Sequence, residues 1–269
     1  MSDSKKKIGI FDSGIGGLTV LHALGELLPN EELLYLGDTA RVPYGTKSKE
    51  TVIRYSMENC RFLISHGVKA VVVACNSASA TSIPILRESF DLPILGVIEP
   101  GVEEAMRSTV TGKIGVIGTN ATIESGRYDT LLREHGAKEV VGKACPLFVP
   151  LAEEGWTDNK IAEDVARVYL EEFPGKVDTL ILGCTHYPLL EKTIAKVCGD
   201  EIKLINSASA VAKKLRDTLG SLKLLSDTKG GKRQYFVTDS PARAEKVGGR
   251  FLGEDISPHL ELTDLTRFA

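Results

Sequence analysis

The chain has 269 residues, of which 42% are hydrophobic and 26% charged, and 33 basic against 36 acidic residues give a net charge of −3. The length favours two domains at roughly 150 residues per domain, and the proportions are those of a globular protein with a buried core. The slightly acidic balance argues against a broad nucleic-acid-binding surface, because such surfaces carry a basic excess.

Short apolar runs alternate with helical patterns along the whole chain. The predicted strands are Lys7–Phe11, Glu32–Leu36, Ala70–Ala74, Pro93–Val97, Lys113–Ile117, Asp178–Leu182, Ile202–Ile205 and Gln234–Val237. Apolar residues at helical spacing lie between the strands, for example Leu18, Leu21, Leu24 and Leu28, and later Ile161, Val165, Val168 and Tyr169. This alternation predicts parallel sheets covered by helices on both faces, with a surface loop at Lys223–Arg233.

Two stretches of the chain resemble each other and indicate a duplicated unit. Lys7–Ile10 reads KIGI and Lys113–Val116 reads KIGV, and each is followed by an apolar strand that ends in a cysteine, Cys75 or Cys184. From the isoleucine of each stretch to its cysteine the separations are 67 and 70 positions. Two matches in the same order and at similar spacing favour duplication over chance.

The duplication favours two similar α/β domains, and if they face each other across a pseudo-twofold axis, the two cysteines flank one cleft, where the active site is expected. Residues 1–98 and 208–269 are expected to form the first domain, which carries Cys75. Residues 99–207 are expected to form the second, which carries Cys184.

Cys75 and Cys184 are the candidate functional groups. In open parallel sheets, functional side chains collect beyond the carboxyl ends of the strands, where both cysteines are predicted to lie. A helical pattern follows each cysteine, and a helix N-terminus favours the nucleophilic thiolate. Two thiols on opposite sides of one carbon can invert a stereocentre, because one removes a proton and the other returns a proton to the far face.

Other interpretations of the cysteines stay open at this point. Isolated cysteines are usually packing residues, and we assign that role to Cys60, Cys145 and Cys198. A thiol redox or zinc-binding protein remains an alternative, since Cys75, Cys184 and His186 offer three ligands, although short paired-ligand spacings are missing. We therefore expect no metal.

A nucleotide-binding module is a further alternative. The segment Phe11–Leu18 is glycine-rich and follows a predicted strand, but Thr19 stands where the dinucleotide fingerprint requires its third glycine. The glycines are better suited to let backbone N–H groups approach a small anion such as a carboxylate.

The N-terminus and the cysteine count predict a cytoplasmic protein. No apolar run reaches the roughly 18 residues of a membrane span, and Met1–Lys7 lacks the apolar stretch of a signal peptide. Five cysteines, an odd number, favour reduced thiols over a disulfide scaffold. We expect neither a membrane nor a nucleic-acid partner.

Five segments together resemble the cofactor-independent aspartate/glutamate racemase family, and within it the members that act on glutamate. In chain order these segments are Phe11–Gly17, Gly37–Gly45, Ala74–Ala78, Glu153–Gly155 and Gly183–Pro188. Their order and spacing match those of the family, and Thr238–Ser240 is similar to its closing segment. Such a co-ordered set is far more specific than any one motif.

The resemblance implies interconversion of L- and D-glutamate without pyridoxal phosphate, another cofactor or a metal, and supply of D-glutamate for peptidoglycan. It implies that Cys75 and Cys184 are the acid and base groups, that Asp12 assists the first thiol, and that Glu153 and His186 assist the second. A homodimer is a further expectation.

The family's substrate contacts carry over to ten positions: Asp12, Ser13, Pro43, Tyr44, Gly45, Asn76, Ser77, Thr119, Thr185 and His186. Two positions depart from the family pattern, because Ser77 replaces a threonine and Ala152 replaces a bulkier aliphatic residue. An aspartate racemase or a related two-cysteine racemase remains an alternative, although the residues after Cys184 and the segment Pro43–Gly45 favour glutamate.

Overall fold

The computed structural model describes residues 4, 6–228 and 230–269. Its strands are β1 (Lys7–Asp12), β2 (Leu33–Gly37), β3 (Val68–Val73), β4 (Ile94–Gly96), β5 (Lys113–Gly118), β6 (Glu139–Ala144), β7 (Thr179–Gly183), β8 (Lys203–Asn206), β9 (Arg233–Val237) and β10 (Leu260–Leu262). The expectation for Met1–Lys7 and the predicted loop Lys223–Arg233 each fall partly outside the described residues.

At least one helix lies between every two consecutive strands of the described residues. The helices are α1 (Leu18–Leu27), α2 (Lys49–Ser65), α3 (Asn76–Ser89), α4 (Ile98–Ser108), α5 (Asn120–Glu124), α6 (Arg127–Glu134), α7 (Phe148–Glu154), α8 (Lys160–Leu170), α9 (Glu191–Cys198), α10 (Ser207–Ser221) and α11 (Pro241–Leu252). Short 3₁₀ turns lie at Thr39–Arg41, Tyr44–Thr46, Tyr187–Leu190, Ser257–His259 and Thr266–Phe268. Among the residues described, every helix is too short or too polar to span a lipid bilayer.

The described strands form two parallel sheets, which confirms the predicted fold class. The first sheet has the strand order β10-β9-β2-β1-β3-β4 and the second has the order β6-β5-β7-β8. Each sheet together with the helices packed on it is called the six-stranded unit or the four-stranded unit. The order β2-β1-β3-β4 in the first sheet is repeated as β6-β5-β7-β8 in the second. The two resembling stretches are the central strands β1 and β5, as duplication requires.

Helices cover both faces of each sheet. In the six-stranded unit, α1, α10 and α11 pack on one face and α2 and α3 on the other. In the four-stranded unit, α7, α8 and α9 pack on one face and α4 and α6 on the other. The buried face of α4 therefore packs on the second sheet, and that of α10 packs on the first. The predicted domain boundaries at residues 98 and 207 stay a prediction.

The eight predicted strands are confirmed, but two edge strands were missed. The strand β6 reads EVVGKA and is only half-buried, so it lacks the continuous apolar run of a central strand. The strand β10 has three residues, and two of them are exposed. An edge strand pairs with one neighbour only and is partly exposed to solvent. Its sequence can therefore contain polar residues and resembles a strand less clearly.

The predicted apolar face of α1 is confirmed, while that of α8 is partly wrong. Leu18, Leu21 and Leu24 are buried on α1. On α8, however, Ile161 and Val168 are 51% and 68% exposed. The buried positions there are Ala162, Ala166 and Leu170, because small side chains let this helix lie close against the second core.

Candidate active site

Cys75 lies between the end of β3 and the first residue of α3, as the sequence predicts. The residue is 6% exposed, and its Sγ lies 3.5 Å from the Oγ of Ser13 as a hydrogen-bond donor. Burial raises the pKa of Cys75 to about 12, the charge of Asp12 adds to this, and the Ser13 hydrogen bond partly opposes it. The expected lowering by the helix N-terminus is wrong for this thiol, because loss of hydration outweighs it.

Asp12 ends β1 directly beneath the glycine-rich loop. It is 1% exposed, its Oδ2 accepts a hydrogen bond from the N–H of Gly14 at 3.0 Å, and within the described residues Oδ1 has no hydrogen-bond partner. Burial raises the pKa of Asp12, and the positive charge of His186 partly opposes that rise. Asp12 is therefore a buried carboxyl group close to both Cys75 and His186.

The glycines of the loop Ser13–Gly17 permit close packing at the junction of the two units. A Cβ on Gly17 would lie 2.6 Å from the Cβ of Asp12. A Cβ on Gly16 would lie 2.4 Å from the ring of His186 and from the Oγ1 of Thr185, which both belong to the four-stranded unit. No side chain larger than hydrogen fits these positions without movement.

Cys184 follows β7 in the second unit and is 7% exposed. The 3₁₀ turn Tyr187–Leu190 separates it from α9, so the expected helix N-terminus does not directly follow this thiol. Instead, the Nδ1 of His186 lies 3.9 Å from Sγ. The polar partner of Cys184 is therefore the imidazole of His186, which is the first member of a longer hydrogen-bond chain.

His186 links Cys184 to Glu153. Its Nε2 lies 3.2 Å from the Oε1 of Glu153. Burial lowers the pKa of His186, but the hydrogen bonds with Cys184 and Glu153 outweigh burial and raise it to about 10. The hydrogen bond from His186 in turn lowers the pKa of Glu153 against the effect of burial. Both groups are therefore charged at neutral pH.

Cys75 and Cys184 line one cavity of about 280 Å³ between the two units. All but one of the ten predicted substrate contacts line it as well, namely Ser13, Pro43, Tyr44, Gly45, Asn76, Ser77, Thr119, Thr185 and His186. The exception is Asp12, which lies behind the lining. Glu153 also lines the cavity, and none of the described lining residues is lysine or arginine.

Hydroxyl groups from both units meet on one wall of the cavity. The Oγ of Ser77 lies 3.2 Å from the Oγ1 of Thr119 and 3.4 Å from that of Thr122. The neighbouring Asn76 accepts a hydrogen bond of 2.8 Å from Tyr128, which fixes the orientation of its amide. The serine that departs from the family pattern thus keeps its hydroxyl in this cluster.

The ring of Tyr44 is buried at the cavity edge, and its hydroxyl is already occupied. It donates to the carboxylate of Asp38, and the amide of Asn59 donates to it at 3.0 Å. Thr238, in the predicted closing segment, donates to the same Asp38 at 3.1 Å. Tyr44 can therefore meet a ligand through its ring and backbone but not through its hydroxyl.

Sequence reasoning missed part of the lining. Thr122 carries a detectable signal, because it stands three residues after Thr119 and its N–H is capped by the Thr119 hydroxyl. The apolar wall carries none, because its residues have no chemistry that marks a site: Pro146, Val149 and Pro150. Across residues 4, 6–228 and 230–269, no group of three or more His, Cys, Asp or Glu side chains is arranged to hold a metal ion.

Known proteins are similar to this chain over almost its whole length. A glutamate racemase from Geobacter metallireducens is 52% identical over 251 residues, which cover 92% of this chain and 93% of that protein. The crystal structure of a glutamate racemase isoform from Bacillus anthracis superposes with a TM-score of 0.93 at 39% identity, covering 97% of this chain and 98% of that one. That of the Francisella tularensis glutamate racemase in complex with D-glutamate gives 0.91 at 40% identity, covering 98% and 99%.

Fold and relatives define an amino-acid racemase, which confirms the predicted class of enzyme. A sequence profile of Asp/Glu/hydantoin racemases matches residues 16–215. The chain belongs to the Asp/Glu/hydantoin racemase family.

Proposed function

We propose that this protein is a glutamate racemase that uses Cys75 and Cys184 as two opposed acid and base groups, without a cofactor. The observation that carries the proposal is that one cavity is lined by two thiols, each from a different unit of a duplicated fold. Relatives at about half identity, named glutamate racemases, support glutamate as the substrate.

The proposed reaction moves one proton off the α-carbon and another proton onto it. A thiolate on one side accepts the α-proton, so an S–H bond forms while the C–H bond breaks and its electron pair stays on carbon. The thiol on the other side then donates its proton to the opposite face and becomes the thiolate. The enzyme is left with the two protonation states exchanged, which is the state that serves the reverse direction.

The surroundings of the thiols favour a particular starting state. The raised pKa of Cys75 keeps it as a thiol at neutral pH, while the sulfur of Cys184 lies 3.9 Å from the Nδ1 of the charged His186. We infer that Cys184 accepts the first proton and Cys75 donates the second in the enzyme before it has turned over.

Neutral donors bind the two carboxylates of glutamate in this proposal. The cavity offers the hydroxyls of Ser77, Thr119 and Thr122 and the N–H groups at the start of α3. Fixed donors that line the cavity also stabilise the carbanion-like transition state, whose formation is the main difficulty of removing a weakly acidic α-proton.

The test is racemisation in deuterated water with the purified, chelator-treated protein. Starting from one enantiomer, we expect deuterium in the product and little in the remaining substrate at early times, because separate groups accept and donate. Early deuterium in the substrate at the same level as in the product would contradict two separate groups.

Single-thiol variants test the two roles directly. Cys75→Ala and Cys184→Ala should both lose racemisation, yet each should retain α-proton exchange with one enantiomer, and the two should retain opposite ones. Complete loss of exchange with both enantiomers in a folded single variant would exclude independent bases.

The substrate and the cellular role need separate measurements. Aspartate lacks one methylene, a difference worth about 10- to 200-fold in kcat/KM, so turnover of aspartate equal to that of glutamate would favour an aspartate racemase instead. If the D-glutamate supplies peptidoglycan, the gene should relieve the D-glutamate requirement of a bacterium that lacks its own racemase, and Cys75→Ala should not. A homodimer and a cytoplasmic location stay predictions.

A further inference from the structure

Helix α11 of the six-stranded unit reaches across the cleft to Glu153 of the four-stranded unit. The guanidinium of Arg243 donates to the Oε2 of Glu153 at 2.8 Å, and that of Arg250 donates to the backbone carbonyl of Glu153 at 2.8 Å. Val247 and Phe251, four and eight residues after Arg243 on adjoining positions of α11, are buried in the first core and anchor the helix there. Helix α11 therefore hydrogen-bonds to both the carboxylate and the main-chain carbonyl of Glu153.

The two carboxylate oxygens of Glu153 have different partners. Oε2 accepts from Arg243, while Oε1 faces the Nε2 of His186, whose Nδ1 faces the sulfur of Cys184. A continuous polar chain thus runs from the surface of one unit to a thiol of the other. Arg243 is its outermost member, and its side chain is 66% exposed, against 18% for Glu153.

The same helix also contacts His186 itself. The ring of Phe251 lies edge-on to the imidazole, with centroids 5.5 Å apart and planes at 89°. On the loop side, Thr19 donates to the backbone carbonyl of Thr185 at 2.9 Å. His186 is therefore held by elements of the six-stranded unit, although it belongs to the chain segment of the other unit.

Among the residues that the structure describes, no comparable chain leads to Cys75. Its sulfur donates a hydrogen bond to Ser13 of its own unit, and its neighbour Asp12 is buried beneath the loop. The contact of α11 with Glu153 thus serves only one of the two thiols.

We propose that Arg243 is a positioning residue for the Cys184 half of the reaction: it holds the Glu153 carboxylate in the orientation in which Glu153 supports His186 beside Cys184. This inference rests on the proposed two-thiol function. An exposed ion pair contributes little to stability, so a purely structural role predicts almost no effect of removing it.

Steady-state rates alone do not reveal which thiol a variant affects. Because L- and D-glutamate are mirror images, the equilibrium constant is one, and kcat/KM must fall by the same factor in both directions. The single-thiol variants remove this symmetry, since each leaves exchange of one enantiomer by one thiol. The experiment therefore measures α-proton exchange in deuterated water with Arg243→Gln added to each of them.

Arg243→Gln should slow the exchange that remains in Cys75→Ala by about tenfold, the lower end of the range for groups that orient a metal-bound histidine, because Arg243 acts on His186 only through Glu153. It should leave the exchange in Cys184→Ala unchanged, and Arg243→Lys should restore most of the loss. Arg107→Gln is the matched control, because Arg107 is also 66% exposed and its pair with Glu104 is 2.7 Å long. This control should change neither exchange rate.

The pH profile gives an independent measurement in the protein with both thiols. Glu153 faces the charges of His186, Arg243 and Arg250, and His186 in turn faces Cys184 and Asp12. Arg243 helps to keep the pKa of Glu153 low, so Arg243→Gln should move the acid limb of kcat/KM to higher pH, while Arg243→Lys should not.

Three outcomes would overturn the inference: equal slowing in both single-thiol backgrounds, no slowing in Cys75→Ala, or an acid limb that stays in place. Failure of the two-thiol function is a different result. It would appear as missing one-sided exchange in Cys75→Ala and Cys184→Ala before Arg243 is changed, and the pH profile would still decide the role of Arg243.

Discussion

Gly16 is the point at which the structure makes its most quantitative prediction. The substitution Gly16→Ala adds one methyl group, which would lie 2.4 Å from the Nδ1 and Cε1 atoms of His186 and from the Oγ1 of Thr185. Gly16 is not among the described glycines with positive φ, so alanine can adopt its backbone conformation. Any loss of activity in Gly16→Ala therefore comes from the steric clash of the added methyl group and not from backbone strain.

The size of the effect follows from the distance. An ordinary contact of a Cβ atom begins near 3.4 Å, so loop and imidazole must separate by about 1 Å. A displacement of about 1 Å at a reacting group can cost on the order of 100-fold in rate, or roughly 2.7 kcal/mol of barrier. Because the displaced ring belongs to His186, we expect kcat/KM for glutamate to fall by about that factor.

The assay is racemisation of either enantiomer, followed by circular dichroism, together with the melting temperature. Gly220→Ala is the control, because a Cβ there meets only Leu225, at 3.6 Å, and an alanine suits its place in α10. Wild-type kcat/KM in a folded Gly16→Ala variant would refute the idea that tight packing of the loop on His186 sets its position. An equal loss in Gly220→Ala would refute it too.

Two further predictions concern stability. Lys69 and Glu31 form an ion pair of 2.5 Å with side chains 1% and 2% exposed, so Lys69→Met should cost about 3–5 kcal/mol in urea unfolding by stranding a buried charge. Adding Glu31→Leu should recover part of this, and a loss below about 1 kcal/mol in Lys69→Met would contradict the prediction. The carboxylate of Asp178 accepts hydrogen bonds from Thr109, Val110 and Thr111, and these lower its pKa although burial opposes the change. Its contribution to the stability of the folded protein is therefore fully present above the unfolded pKa near 4 and is lost as the pH falls through the folded pKa. Asp178→Asn should therefore lower the melting temperature by several degrees at pH 7 and progressively less below pH 4, at roughly 2–4 °C per kcal/mol; a difference that grows in acid would contradict this.

The central strands could be predicted from sequence because burial on both faces leaves a continuous apolar run. The strands β1, β3, β5 and β7 are of this kind, and they also place the two cysteines. The missed β6 and β10 lie at sheet edges, where solvent on one side permits polar residues. On α8 the pattern of large apolar residues was misleading, because alanines face the core and Val168 faces solvent.

The site could be predicted only where its chemistry is local in sequence. The short segments around Asp12, Cys75 and Cys184 each carry reactive or polar residues at a strand end, so they stand out singly. Arg243 does not, because it lies 90 positions from Glu153 and nothing near it marks a site. Its contact arises from the packing of α11 between the two units, and a single sequence contains no signal for that packing.

The duplicated fold and the unequal thiol environments together account for how the proposed reaction can begin. Symmetric placement of Cys75 and Cys184 gives two faces to one α-carbon, but identical surroundings would give both thiols the same protonation state, and a one-proton exchange needs one of each. Burial beside Asp12 favours the neutral thiol at Cys75, while His186, hydrogen-bonded to Glu153, places a positive charge beside the sulfur of Cys184. Similar backbones thus provide the geometry, and the divergence of a few neighbouring side chains provides the difference in charge on which proton transfer depends.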